Sequence, residues 1–214
     1  MKSKLSSTLF LAFVLFALVS CDESDSDMDI GGSQSPVGEV GNVIDFGPIQ
    51  GLTNTNVYVS SLENGISTFS GSVTVTNSTY TDLLSSVPTE IFPGAVSIDG
   101  SKVEGTVNIK TTTDGVQLVF KDGSKLTLVD YDANVGDKYT AKVGGYTFEN
   151  EVVEKSTEDD FYWGGMYIKV IKVKCKSVTP GISDYMLYYN HKYCLVGIDI
   201  IFEDGSKKLI GVEC

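Results

Sequence analysis

The sequence contains no arginine. All 16 of its basic residues are lysine, and 28 aspartate and glutamate residues oppose them, which gives a net charge of −12 over 214 residues. Nucleic-acid and phosphate binding relies on basic surface patches and on the bidentate guanidinium group of arginine. This composition offers neither, and we expect no nucleic-acid partner.

Residues that ligate metals or act as catalytic bases are also scarce. Histidine occurs once, as His191, and no two of the four cysteines have the close spacing of a zinc site. His191 could serve as a general base, but no nucleophile-elbow pattern accompanies it, and it lies between two strand-like segments, where a turn is expected. We therefore expect no metal, no cofactor and no catalytic residue.

The chain has one long hydrophobic run, from Leu5 to Leu18. This run is shorter than the roughly 20 residues that a membrane-spanning helix needs. Lys2 and Lys4 precede it, as in a cleaved signal peptide, which we assign to residues 1–20. Removal of those residues takes away two lysines and changes the net charge from −12 to −14.

The end of that run, Leu18-Val19-Ser20-Cys21, resembles the lipobox of bacterial lipoproteins. The resemblance implies that Cys21 is lipidated, becomes the mature N-terminus and anchors the protein in a membrane through its acyl chains. The alternative is an ordinary cleavage after Ser20, with Cys21 left unmodified.

Acidic residues follow the cysteine at once, beginning with Asp22, Glu23 and Asp25. A block of like charges is typical of a solvated tether. The acids also resemble the surface-export signal of lipoproteins in the Bacteroidota, which implies an outer-membrane lipoprotein that faces the cell surface. In enteric bacteria an aspartate after the cysteine would instead imply retention at the inner membrane, and we favour the first address because the acids continue beyond that position.

The chain after the signal peptide divides into two parts. Residues 21–40 are acidic and then rich in glycine, serine and proline, as in a tether, and residues 41–214 suit a single β-rich domain. Period-two alternation predicts an all-β fold, an antiparallel β-sandwich or half-open barrel, with one short helix over Asp82–Val87. The predicted strands are Val57–Ser60, Ser70–Thr76, Lys102–Thr111, Val116–Phe120, Lys125–Val129, Tyr146–Val153, Met166–Ser177, Tyr193–Phe202 and Lys207–Val212.

One pattern occurs twice, as GVQLVFKDGSK at 115–125 and GIDIIFEDGSK at 197–207. In each copy, a three-residue loop whose last residue is glycine joins two strands in which apolar and polar residues alternate. Such a loop is typical of a hairpin with a type I turn and a bulged glycine in the left-handed region. We predict two similar hairpins and no domain duplication.

The predicted strand Met166–Ser177 changes its phase of alternation between Val170 and Ile171. This change predicts a β-bulge that keeps the apolar side chains inside. The lysines at 172, 174 and 176 then form a solvated row, which we interpret as protection against aggregation.

The stretch STEDDFYWGGMY at 156–167 holds the candidate ligand contacts, Asp159, Asp160, Phe161, Tyr162 and Trp163. The aromatic rings could stack on a sugar, or they could instead face the core at the start of the next strand. Adjacent aspartates on a strand face opposite ways, which is a poor arrangement for the paired carboxylates of a glycosidase.

Three segments, STEDDFYWGGMYIKVIKVK, YDANVGDKYT and YYNHKYCLVGIDIIFEDGS, resemble uncharacterised lipoproteins of the Bacteroidota, in which a glycine often stands where this chain has Cys194. That resemblance implies a β-rich domain and transfers no activity.

Two function classes follow. The first is a membrane-anchored lipoprotein that binds a glycan, lipid or protein without catalysis. The second is an envelope hydrolase that acts through Asp159 or Asp160, and the lack of a second positioned acid favours the first.

The three remaining cysteines would lie in an oxidising compartment, where disulfides persist. Counting outward from the second hairpin places Cys194 opposite Cys214, at a separation within bridging range. Cys175 also points inward and competes as a partner, and a third possibility is that all three are buried thiols.

Overall fold

A computed structural model describes residues 29–46, 52–76, 94–177, 179 and 181–212. Several predictions fall outside these ranges: the lipidation of Cys21, the export signal at Asp22, Glu23 and Asp25, the helix Asp82–Val87, and one partner of the proposed disulfide, Cys214.

The described residues form two large antiparallel sheets and one small ribbon, as the alternation predicts. The strands of the first sheet are β1 (Leu52–Glu63), β2 (Ile66–Val75), β3 (Val96–Asp99), β4 (Lys102–Thr111), β5 (Gly115–Val119) and β6 (Lys125–Asp130). They lie in the order β1-β2-β4-β5-β6, with β3 paired to β4.

The second sheet comes from the C-terminal half of the chain. Its strands are β7 (Lys138–Val143), β8 (Tyr146–Lys155), β11 (Ile171–Lys176), β12 (Ile182–Asn190), β13 (Cys194–Phe202) and β14 (Lys207–Gly211), in the order β14-β13-β12-β11-β8-β7. The ribbon consists of β9 (Phe161–Trp163) and β10 (Met166–Ile168). The only described helix is a 3-10 turn over Pro36–Gly38.

A single apolar core joins the two large sheets. The rings of Phe120 and Phe148, one from each half of the chain, lie 5.5 Å apart. The buried Asn150 side chain of β8 donates a 2.9 Å hydrogen bond to the Thr127 carbonyl of β6. Within the described residues the strands form no closed barrel, so the fold is a β-sandwich.

Both predicted hairpins are confirmed. The Phe120 amide donates to the Ser124 carbonyl and the Phe202 amide to the Ser206 carbonyl, each at 2.9 Å. Gly123 and Gly205 have φ of 87° and 81°, the left-handed conformation that such a loop requires. In each loop the aspartate before the glycine accepts hydrogen bonds from the following serine, so the repeated DGS sequence is explained by the turn itself.

The predicted strand Met166–Ser177 is wrong as a single strand. It divides at Lys169 and Val170 into β10, which belongs to the ribbon, and β11, which lies inside the second sheet. Val170 and Ile171 are both buried, so the predicted change in the alternation pattern at this point is correct. It marks the passage of the chain from the ribbon to the second sheet and not a β-bulge.

The lysines of β11 are not a simple solvated row. Lys172 pairs with Glu154 at 2.7 Å, and Lys176 pairs with the largely buried Asp184 at 2.9 Å. Burial alone would raise the pKa of Asp184, but the lysines and the Ser183 hydroxyl lower it overall. The lysines therefore belong to a network of opposite charges on the outer face of the second sheet.

Residues 30–40 belong to the folded domain, contrary to the predicted linker. The Ser35 amide donates to the Thr111 carbonyl at 3.0 Å, and the fully buried Ser67 hydroxyl donates to the Gly38 carbonyl at 2.7 Å. Ile30 is buried as well. The glycine, serine and proline content of this stretch suggested a linker, but hydrogen bonds to β2 and to the end of β4 hold it in place.

Candidate functional site

The ribbon at residues 161–168 contains most of the predicted contact residues. Gly164 and Gly165 both have positive φ, 53° and 85°, and form a two-residue turn that pairs Trp163 with Met166. Consecutive left-handed residues match the twist of a tight hairpin, and glycine adopts this conformation without steric cost. The turn makes Tyr162 and Tyr167 direct neighbours across the ribbon.

The inner face of the ribbon packs on the outer face of the second sheet. Phe161 stacks on Tyr188 with a centroid separation of 4.9 Å, and Trp163 packs on Tyr193 at 4.6 Å. The Trp163 indole N–H donates a 2.6 Å hydrogen bond to the Val212 carbonyl. Phe161 and Trp163 therefore pack against the second sheet, and of the three ribbon aromatics named from the sequence only Tyr162 is exposed.

A second small core lies beneath the ribbon. It consists of Ile168, Val170 and Val196, with the ribbon aromatics packed against them. The Tyr188 hydroxyl donates a 2.7 Å hydrogen bond to the Asp199 carboxylate, and burial together with that carboxylate raises the pKa of Tyr188. Stacking and hydrogen bonding therefore hold the ribbon in a fixed position.

The outer face of the ribbon exposes two tyrosines. Tyr162 is 65% exposed and Tyr167 is 63% exposed, and their ring centroids lie 5.4 Å apart in an edge-to-face arrangement. Met166, which precedes Tyr167 in the chain and pairs with Trp163, is also exposed. Tyr162 was among the contact residues predicted from the sequence, whereas Tyr167 was not. The Gly-Gly turn is the signal that could have placed the two tyrosines opposite each other.

The two predicted aspartates lie in the loop before β9 and are exposed. The Asp160 carboxylate accepts a 2.7 Å hydrogen bond from the Ser156 hydroxyl, which fixes it within its own loop. General acids in glycosidases depend on a sheltered environment. The exposure of Asp159 and Asp160 gives no support to the hydrolase alternative.

His191 lies in the exposed turn between β12 and β13, as predicted. Among the described residues, no group of three histidine, cysteine, aspartate or glutamate side chains could hold a metal ion. No helix in the described ranges has the length and apolar character needed to cross a membrane.

Cys175 and Cys194 form no disulfide with each other. In the thiol form, burial raises the pKa of Cys175 well above its usual range and that of Cys194 to about 11, so an unpaired thiol at either position is protonated and weakly nucleophilic at neutral pH. Cys194 has φ of 59°, the left-handed conformation that favours the glycine expected from the resemblance.

The Cys194–Cys214 disulfide remains a prediction, because Cys214 lies outside the described residues. The hairpin register is as counted, with Ile198 opposite Ile210. Val196, however, packs beneath the ribbon whereas Val212 packs in the main core, so the expected common apolar face does not extend to this pair.

Comparison of the chain with protein-family models, with curated proteins and with solved structures gave no match.

Proposed function

We propose that this protein is a lipid-anchored binding protein of the cell surface, without catalytic activity, that holds a neutral glycan on the outer face of the ribbon. The observation that carries the proposal is the pair of exposed rings, Tyr162 and Tyr167, on a ribbon whose other face is fixed to the sheet. Tyrosine combines a flat apolar ring, which can stack on the C–H face of a sugar, with a hydroxyl that hydrogen-bonds sugar hydroxyls.

The fixed position of the ribbon favours binding. Stacking of Phe161 and Trp163 orders the tyrosine backbone before any ligand arrives, so less conformational entropy is lost on association. A mature net charge of −14 repels anionic polysaccharides, and the proposal is therefore confined to neutral glycans.

The start of the fold sets the distance to the proposed anchor. Asp29, the last acid of the run, pairs with Lys110 at 3.0 Å and with Lys125 at 2.8 Å. Only residues 22–28 then separate the lipidated cysteine from the domain, and at about 3.5 Å per residue the distance from Cys21 to Asp29 is at most ~30 Å. Anchored through Cys21, the domain would lie close to the membrane surface.

A glycan array tests the binding proposal. The chain from residue 22, which keeps every described residue, should bind neutral oligosaccharides, and the double variant Tyr162→Ala/Tyr167→Ala should bind at least about tenfold more weakly. Tyr58→Ala is the matched control, because Tyr58 is 40% exposed and lies on the first sheet. Equal binding by the double variant and the wild type would refute a role for the ribbon.

A further inference from the structure

An apolar cavity of about 90 Å³ lies between the two sheets. Its lining is almost entirely aliphatic and aromatic and comes from both halves of the chain, including Phe69, Val107, Leu128 and Leu195. No charged side chain of the described residues lines it. The half-buried lining residues Ile44 and Val57 mark the side on which the cavity approaches solvent.

Two glycines belong to the lining of the cavity. Gly71 of β2 and Gly105 of β4 lie directly opposite each other and both line it. Along β2, Gly71 alternates with the buried Phe69 and Val73, so it occupies a core-facing position without filling it. A Cβ atom on Gly71 would meet Val57 Cγ2 at 3.2 Å, a side-chain contact that a small shift relieves.

One residue of the lining has a buried hydroxyl without a partner among the described residues. Tyr189 lines the cavity and is 1% exposed, and its hydroxyl has no hydrogen-bond partner among the described residues. A buried hydroxyl left unpaired is destabilising, and most such groups in folded proteins are hydrogen-bonded. Burial raises the pKa of Tyr189 well above its usual range, so the hydroxyl keeps its proton and remains a donor.

Two threonines of the lining already form hydrogen bonds within the protein. Thr106 Oγ1 accepts a hydrogen bond from the Ala95 amide, and Thr111 Oγ1 accepts one from the Gln34 side chain. Tyr189 is therefore the lining group most in need of an external acceptor.

We propose that this cavity binds a small neutral molecule with a short aliphatic part and one oxygen that accepts a hydrogen bond from Tyr189, in the class of alcohols and ketones. A carboxylate is disfavoured because no lysine among the described residues lines the cavity to compensate its buried charge. A cavity of about 90 Å³ holds only a short chain, so the rest of a longer one would extend toward Ile44 and Val57. This site is separate from the ribbon and does not depend on glycan binding.

The binding test uses 1-hexanol, with sodium hexanoate as the charged control of equal chain length. In an NMR titration of the chain from residue 22 at neutral pH, 1-hexanol should give saturable shifts of the amides around Gly71, Tyr189 and Leu195. Hexanoate should bind at least about tenfold more weakly. Absence of saturable shifts with 1-hexanol, or equal binding of hexanoate, would overturn the proposal.

Variants then test the two features that define the site. Tyr189→Phe should raise the Tm of the free protein, because it removes an unpaired hydroxyl, and should weaken 1-hexanol binding by up to about tenfold. Tyr185→Phe is the matched control on the same strand, because the Tyr185 hydroxyl interacts with the side chains of Ser177 and Thr179. We expect that variant to lower Tm without changing the affinity for 1-hexanol.

Filling the cavity should abolish binding by a separate route. Gly71→Ala should weaken 1-hexanol binding and Gly71→Val should abolish it, and the smaller substitution keeps the test valid if valine disturbs folding. A Tyr189→Phe variant that is less stable than the wild type and binds 1-hexanol equally well would show that water satisfies the hydroxyl and would refute the site.

Discussion

Phe161→Ala should release the ribbon from the second sheet. Phe161 stacks on Tyr188, and its Cζ atom lies 3.3 Å from the point where a Cβ on Gly197 would stand, so the ring is in close contact with β13. A two-stranded ribbon has little stability by itself in water. Its position therefore depends on the aromatic contacts beneath it.

The magnitude follows from the burial of the ring. Replacing a fully buried phenylalanine by alanine costs about 3–5 kcal/mol. Phe161 is half-buried, so we expect a loss of about 2 kcal/mol in the free energy that keeps the ribbon docked. At 1.4 kcal/mol per factor of ten, this corresponds to roughly 30-fold easier opening.

Native-state hydrogen exchange measures that opening. The backbone amides of β9 and β10 should exchange roughly 30-fold faster in Phe161→Ala, whereas amides in the core strand β12 should change much less. Trp163 is the only tryptophan, and its fluorescence emission should move to longer wavelength as the ribbon opens.

Tyr162→Ala is the matched control for this experiment. It removes a neighbouring aromatic ring on the same strand, but that ring points to solvent, so the stability should change by less than about 0.5 kcal/mol. Exchange in the ribbon that is equally slow in Phe161→Ala and the wild type would refute the conclusion that stacking holds it.

Four further predictions concern the anchor, the export signal, the cysteines and the charge network. Labelling of cells with a fatty-acid probe should tag the wild type and not Cys21→Ala, and equal labelling of both would exclude lipidation at this residue. Replacing Asp22, Glu23 and Asp25 by alanine should remove protease accessibility on intact cells while anchoring is kept; unchanged accessibility would leave the acids as a tether only. Non-reducing peptide mapping should recover a linked Cys194–Cys214 peptide, and a link to Cys175 or three free thiols would contradict it. Asp184→Asn should lower the free energy of unfolding by about 1–3 kcal/mol at pH 7. Because the pKa of Asp184 is lowered in the folded protein, its contribution is present above the ordinary value near 4 and is lost as pH falls through the folded pKa, so the two proteins should converge in acid.

The hairpins show what local sequence can predict. In both copies of the repeat, the alternation of apolar and polar residues predicted the strands. The DGS loop predicted the turn and the register between the two strands. These features depend on neighbouring residues only. The same kind of signal was present and overlooked in β12, where the buried Tyr185, Leu187 and Tyr189 alternate with two half-buried residues.

Contacts between distant residues could not be predicted in this way. The segment 30–40 has the composition of a linker, and its place in the domain depends on hydrogen bonds to residues more than 25 positions away. The inward orientation of Phe161 and Trp163 likewise depends on Tyr188 and Tyr193, which the chain brings beneath them only after two further strands. The interior cavity is lined by residues from distant parts of the chain, including the paired Gly71 and Gly105, and no sequence pattern indicated it.

The most direct test of the proposed function uses the neutral oligosaccharide that binds most tightly on the glycan array. Its binding site is located by the NMR shifts that it causes in the backbone amides of the protein. The largest amide shifts should fall on β9 and β10, around Tyr162 and Tyr167. The first sheet offers a competing surface, a polar groove of about 410 Å³ lined by Asn56, Tyr58 and Glu104 among others. Shifts centred on that groove, with the ribbon unchanged, would contradict the proposal that the ribbon binds the glycan.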